Sequence, residues 1–511
     1  MRKIFLFFAL IIMLSGACKN ILDVTPTRVV GEENMWNVME DARAGLIGVY
    51  GLCRSALADN NRFWYYGDVR MADFDGTTRE DIKSIHNNEL NVQYPLVQDL
   101  SDWRRFYAAI NAANLFIERA PEIFKKDPRY TEQNFNLDMA QARVLRAFLY
   151  FYIVRLWGDV PLITTSHDGE FANKKREDQQ KVLAFAANEL IASVQYLPYR
   201  FNGAFPEQTG QYYGRNIDNW ESDLVRKHTA WGILAHIYAW QGNYAETARY
   251  AQLVMDAESN LGLATAAFPI NGSNIRRMFR GEVNDEVKAV VLGFGHRWRP
   301  AETSFTGTIE GLTLAQPLVN NRLIQAIYVP KDTILSIYKE AKDDRFGIDT
   351  LTKNVTSDLW FTGFDRPYPM FKKIFAVADV SVQNTNVPIA YFSSTTVVNR
   401  MEDIALLLAE AKAVLNDRPG AIVILNKIRT KHGLPVYNPL VNGEAVDAVF
   451  SERRRELLGE GHRWYDLVRY KKIKNNDLEF NDLIQSGGIY WPINRNLLIQ
   501  NPLLIQNTYW Q

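Results

Sequence analysis

Two stretches of this 511-residue chain carry side chains that could do chemistry. The first is Asn60 to Asp75, where Phe63, Trp64, Tyr65 and Tyr66 follow one another among Asn61, Arg62, Asp68, Arg70 and Asp73. Rings interleaved with planar polar groups suit a sugar, whose C–H faces stack on aromatics while its hydroxyls pair with amides and carboxylates. Four consecutive rings cannot all face one core, so at least one is expected to point outward. Asn61, Trp64, Tyr65, Tyr66, Asp68 and Asp73 are therefore the candidate ligand contacts. The second stretch, residues 451 to 470, reads SERRRELLGEGHRWYDLVRY. Its Glu452, Arg453, Arg455, Glu456, Glu460, Arg463, Asp466 and Arg469 recur largely at steps of three or four, where opposite charges pair along a helix. That predicts a buttressing ion-pair lattice. Glycoside hydrolysis needs one carboxyl with a raised pKa, whereas arginines lower the pKa of the glutamates among them. The chain has no HExxH, cysteine–histidine cluster, Gly-x-Ser-x-Gly or phosphate loop, so no catalytic residue, metal or cofactor is assigned.

The elements that position these stretches read as helices. Ala140 to Pro161 is apolar nearly all round, with Leu145, Phe148, Leu149, Tyr152 and Leu156 on one stripe, so it must be covered on several sides. Gly158 is expected to end it, and Asp138 to cap it. Further helices are predicted over Glu32–Leu57, Trp103–Ala120 and Asp178–Leu197. Cys53 continues the apolar face of the first and reads as a buried structural residue. Arg226–Trp240 with Tyr244–Ala257, and Met401–Leu415 with Pro419–Lys431, resemble tetratricopeptide hairpins. Residues 261–400 between them are richer in Gly, Thr, Val and Asn, with short β-like runs at Val287–Gly293 and Asn386–Phe392. The fold class is thus mostly α, a scaffold of tetratricopeptide-like helix pairs with a loop-rich insertion carrying short strands. Loops on a rigid frame are where binding residues concentrate, so the insertion is expected to build the binding face.

The composition is that of a globular protein, 47% hydrophobic and 23% charged. Arg2 and Lys3, an apolar run from Ile4 to Leu14 and small residues before Cys18 read as a lipoprotein signal over residues 1–17, with Cys18 acylated. Ser15 stands where an apolar residue is usual. Removing Arg2 and Lys3 leaves 56 basic residues against 58 acidic ones, a balance that gives nucleic acid no purchase. A single internal cysteine, Cys53, excludes a disulfide framework, so stability must come from packing.

Several long segments carry a family resemblance. LRAFLYFYIVRLWGDVPL, from Leu145, resembles the LRA-x-x-YF-x-L-x-R-x-[FYW]-GDVPL signature of the SusD/RagB family of outer-membrane nutrient-binding lipoproteins. Ala409–Gly433 and residues 451–470 are similar to its C-terminal hairpin and its ER-x-x-EL-x-x-EG-x-RW-x-DL helix. KNILDVTP resembles its opening, and the final YWPINRNLLIQNPLLIQNTYWQ its tail, with Asn494 and Leu497 replacing the usual Pro and Glu. The resemblance implies an N-terminal region over 18–260 and a C-terminal region over 261–511 that includes the insertion 261–400. It further implies a non-catalytic protein on the outer membrane that binds an oligosaccharide and passes it to a SusC-like TonB-dependent transporter. Ligand contacts are implied in Asn60–Gly76 and in the insertion, where Arg297 and Trp298 follow His296, and where Trp360 precedes Phe361. A peptide is the alternative ligand, since some relatives bind peptides. A surface glycosidase and a ligand-free scaffold are the remaining readings.

Overall fold

Antiparallel helices form the frame of the computed structural model, which describes residues 35–167, 173–214, 224–260, 268–280, 289–296, 306–320, 322–349, 351–352, 354–380 and 389–511. The main helices are α1 Met39–Ala58, α2 Arg104–Lys126, α3 Glu132–Trp157, α4 Gln179–Ser193, α5 Lys227–Gln241, α6 Tyr244–Asn260, α7 Met401–Val414, α8 Arg418–Lys431, α9 Ala445–Glu456 and α10 Arg463–Lys474. Each packs on the next from α1 through α8, and α9 packs on both α7 and α8. The two hairpins α5–α6 and α7–α8 therefore stand side by side. The helix-pair array is interrupted in sequence and continuous in space.

Helix α3 sits in the middle, as its apolar composition requires. From Leu137 to Trp157 every residue except Met139 and Arg143 is buried. Gly158 ends it with φ +73°, a left-handed position that glycine fills without steric cost. Its start differs from expectation. Thr131 is the cap, accepting from the Asn134 N–H at 3.2 Å. Asp138 lies inside the helix, where its carboxylate accepts from Tyr130 at 2.9 Å, from Tyr213 at 2.6 Å and from Tyr212. Burial lifts its pKa to about 6, against the lowering effect of those hydroxyls. Cys53 is buried on α1 as expected.

The insertion contributes paired strands. Val290–Phe294 runs antiparallel to Thr396–Arg400 and both are fully buried. Gly347–Ile348 pairs with Val355–Ser357, and Phe361–Thr362 with Met370–Phe371. Asp75–Gly76 reaches across to Ile327–Tyr328. Among the described residues every sheet is two-stranded, and no helix is long and apolar enough to cross a membrane.

Between the helices and the C-terminal segment runs Asn60–Val69, with Asn60 and Asn61 at φ +53° and +58° leading into a short helix and a π-helical turn, Tyr65–Val69. This turn presses against the turn joining α9 to α10. A Cβ on Gly67 would overlap the Gly461 backbone, and one on Gly459 would lie 2.6 Å from the Phe371 ring. Gly459 and Gly461 also have φ of +78° and +76°. Gly67→Ala is expected to destabilise the fold by about 3 kcal/mol or more, because backbone rather than a flexible side chain would have to move. Thermal unfolding checks this, and an unchanged melting temperature would mean that the two turns are not in tight contact.

Candidate functional site

The aromatic run expected to bind ligand is core. Phe63, Trp64, Tyr65 and Tyr66 are all buried, as are Asn61, Asp68 and Asp73. Four consecutive rings are all accommodated in the core, against expectation, because this segment is enclosed on all sides. Phe63 closes on Gly461, and the Trp64 Nε1–H donates to the Gly459 carbonyl at 3.2 Å. Tyr66 meets Trp157 and Trp491 edge-on at 6.2 and 5.2 Å, and its hydroxyl donates to the Leu100 carbonyl. The polar residues already have partners. Asn61 bonds the Thr308 carbonyl at 2.7 Å, Asp68 accepts from the Gly461 N–H at 2.6 Å, and Asp73 pairs with Arg454 and with Arg463 at 3.1 Å. Arg70 donates to the carbonyls of Gly488, Ile489 and Tyr490, tying the C-terminal tail to this same node. Trp360 is also buried, its Nε1–H on the Gly272 carbonyl at 3.1 Å and the Lys373 ammonium 4.2 Å from its ring. Cys18, Arg297 and Trp298 lie outside the described residues.

The charged residues near the C-terminus form a lattice, but mostly between elements. Only Glu452–Arg455 and Asp466–Arg469 pair along one helix. Glu456 sits between Arg400, Arg345 and His432, each at 2.8 Å, and its carbonyl accepts from Lys373 at 2.7 Å. Arg345 also bonds Asp343 at 2.8 Å and Glu452 at 2.9 Å. Arg453 joins Asp403 to Asp466, and Arg469 reaches Glu410. Burial alone would raise the pKa of these glutamates; the surrounding cations outweigh it, holding Glu452 at about 2 and Glu456 well below the usual range. For His432, burial and Arg345 favour the neutral ring, yet Glu456 and Asp344 outweigh them and lift it to about 9. Carboxylates held down in this way are poor general acids.

The lattice pins the insertion at Arg345 and Lys373, and Trp360 is fixed through its N–H on the Arg345 carbonyl at 3.0 Å. The residues next in sequence, Phe346 and Phe361, form the floor of a cleft of about 560 Å³. Their centroids are 5.5 Å apart. Phe364, half-buried, stands 5.2 Å from Phe346 at the wall, with the Lys331 ammonium 5.7 Å from its ring. Asn354, Thr356, Asp358 and Asp365 line the rim and are exposed. Phe346 and Phe361 are themselves fully buried and support the base, so the half-buried Phe364 is the ring that offers a stacking face, with short polar groups beside it at the edge.

Two family profiles match the chain: one described as the SusD family over residues 364–486, the other as starch-binding and associating with the outer membrane over 61–208. A SusD superfamily protein of Bacteroides thetaiotaomicron has a solved structure that is 41% identical, superposes with a TM-score of 0.82 and covers 93% of this chain and 100% of its own. The chain belongs to the SusD family. SusD-like protein P38 of Formosa agariphila is 25% identical over 99% of both chains. A laminarin-binding SusD-like protein shares the fold at 20% identity and TM-score 0.66, covering 92% of this chain and 99% of its own. Within this SusD-family chain, the signature-like segments build the frame. The GDVP of residues 158–161 ends α3, and LLGEGHRW supplies the glycine turn against Gly67. The segment SDLWFTGFDRPY, singled out in the sequence for Trp360 and Phe361, lines this cleft in part, but Trp360 itself is buried. Phe364, Asp365 and Asp358 in that segment, and Phe346, Asn354 and Thr356 before it, line the cleft and were not singled out in the sequence. Their signal was a ring set among short polar residues without helical spacing.

Two outcomes follow from this geometry. Trp64→Ala is expected to cost about 3–5 kcal/mol of stability as a core truncation, seen as a large fall in melting temperature; a stable variant with lost ligand affinity would restore Trp64 as a contact. His432 contributes stability that is complete below its unfolded pKa of 6.5 and is lost as pH rises through about 9. Melting temperature measured against pH should therefore fall across that window in wild type, and His432→Gln should lack this alkaline step. A wild-type profile flat across that window would contradict the assignment.

Proposed function

We propose that this protein is a non-catalytic surface glycan-binding lipoprotein that holds an oligosaccharide in the cleft at Phe346, Phe361 and Phe364. Acyl chains on Cys18 would fix it to the outer membrane, since several buried chains give firm attachment, and the ligand would pass to a SusC-like TonB-dependent transporter. The observation that carries the reading is the cleft itself, with the half-buried Phe364 ring at its wall and hydroxyl-pairing groups at its rim, in a chain of the SusD family. The laminarin-binding neighbour and the starch-binding description of the matching profile support a glucan-type ligand.

Phe364→Ala tests it. The ring is half-buried at the wall, so the variant should fold. Loss of a central stacking contact typically costs roughly 2 kcal/mol, about thirtyfold in affinity. Electrophoresis in gels containing laminarin or soluble starch, followed by calorimetric titration with the retained glycan, should show that loss with an unchanged melting temperature. Wild-type affinity in the variant would move the site away from the cleft.

A further inference from the structure

The loop that closes one side of the cleft turns a second aromatic surface to solvent. Gly363, Phe364 and Asp365 line the cleft; Tyr368 follows three residues later, at most roughly 11 Å along an extended chain from Asp365. Its ring meets that of Tyr328 edge to face, with centroids 4.8 Å apart. Both tyrosines are half-buried, and neither hydroxyl has a hydrogen-bond partner among the described residues. Tyrosines held rigidly at the surface with free hydroxyls offer ring faces and both donor and acceptor capacity at little entropic cost.

The pair is built into the frame. Gln325 donates to the carbonyls of Tyr368 and Pro369 at 3.0 and 3.2 Å. The Gln325 carbonyl in turn accepts from the Thr77 hydroxyl at 2.6 Å. Tyr328 pairs in register with Asp75, at the end of the buried aromatic stretch. One Asp75 oxygen accepts from the Gly76 N–H at 2.6 Å. Asp75 stands directly across the strand pair from Tyr328, which puts a carboxylate beside the half-buried rings.

We propose that Tyr328 and Tyr368, with Asp75 at their edge, form a second sugar-contact surface joined to the cleft by the loop Gly363–Tyr368, so that the ligand is an oligosaccharide long enough to touch both. The inference rests on the glycan reading of the cleft and extends it to ligand length. Sugar rings stack on the tyrosines, and their hydroxyls donate to Asp75 and exchange hydrogen bonds with the phenols.

The test uses the glycan retained in laminarin or starch gels and its own oligosaccharides, from disaccharide upward. In the double variant Tyr328→Ala/Tyr368→Ala, affinity for the long oligosaccharides should fall about tenfold or more, with the disaccharide bound as in wild type. Asp75→Asn, which preserves size, should lower long-chain affinity in the same sense and serves if the double variant does not fold. Equal losses at every length, or none, would overturn the second surface and leave the cleft standing. Wild type retained by neither polysaccharide would instead overturn the glucan reading on which the inference rests.

Discussion

Glu456 is the point on which this architecture turns. A fully buried carboxylate is costly to desolvate, and it is tolerable only where several cations converge on it with good geometry. Here they come from three places in the chain: Arg345 in the insertion, Arg400 at the end of a buried strand, and His432 after α8, while Lys373 of the insertion holds the Glu456 main-chain carbonyl and pairs with Glu460. Removing any one partner leaves uncompensated charge, so the insertion cannot shift without breaking the C-terminal turn. That constraint reaches the surface. Phe346 follows Arg345, Phe361 follows Trp360, and Trp360 packs under Lys373, so the rigid charge lattice sets the spacing of the cleft floor.

The same logic separates residues that can meet a ligand from those that cannot. Asn61, Asp68 and Asp73 have the chemistry of sugar contacts, yet each already holds a carbonyl, an amide or an arginine inside the protein. Asp358 and Asp365 are of no better type. They are available because they stand at an exposed rim. Family-like motifs follow this division too, since they lie on the frame while the cleft belongs to loops between short strands.

Much of the frame was legible in the sequence. Apolar periodicity gave α3 as the central helix, small residues gave the hairpins, and loss of period marked the insertion. Periodicity reports local structure, and the errors arise where partners are distant. Asp138 looked like a cap because the tyrosines that bury it come from before α3 and from Tyr212–Tyr213. The charges of α9 and α10 were read along one helix, whereas Glu456 and Arg453 find their main partners in other elements. Four consecutive rings looked partly exposed because sequence does not reveal that a glycine turn arrives from residues 459–461 to cover them. For the cleft, the segment was legible and the ring at its wall was not. Which of Trp360, Phe361 and Phe364 faces the cleft depends on Lys373 and Arg345 holding Trp360 inward.

If ligand meets the loop-built face pinned by the lattice, the buried aromatic node is left untouched. Hydrogen–deuterium exchange with and without a retained glycan reads both regions in one experiment. The expected result is added protection over residues 354–368 and no change over residues 61–70. Protection gained over residues 61–70, with residues 354–368 unaffected, would contradict it.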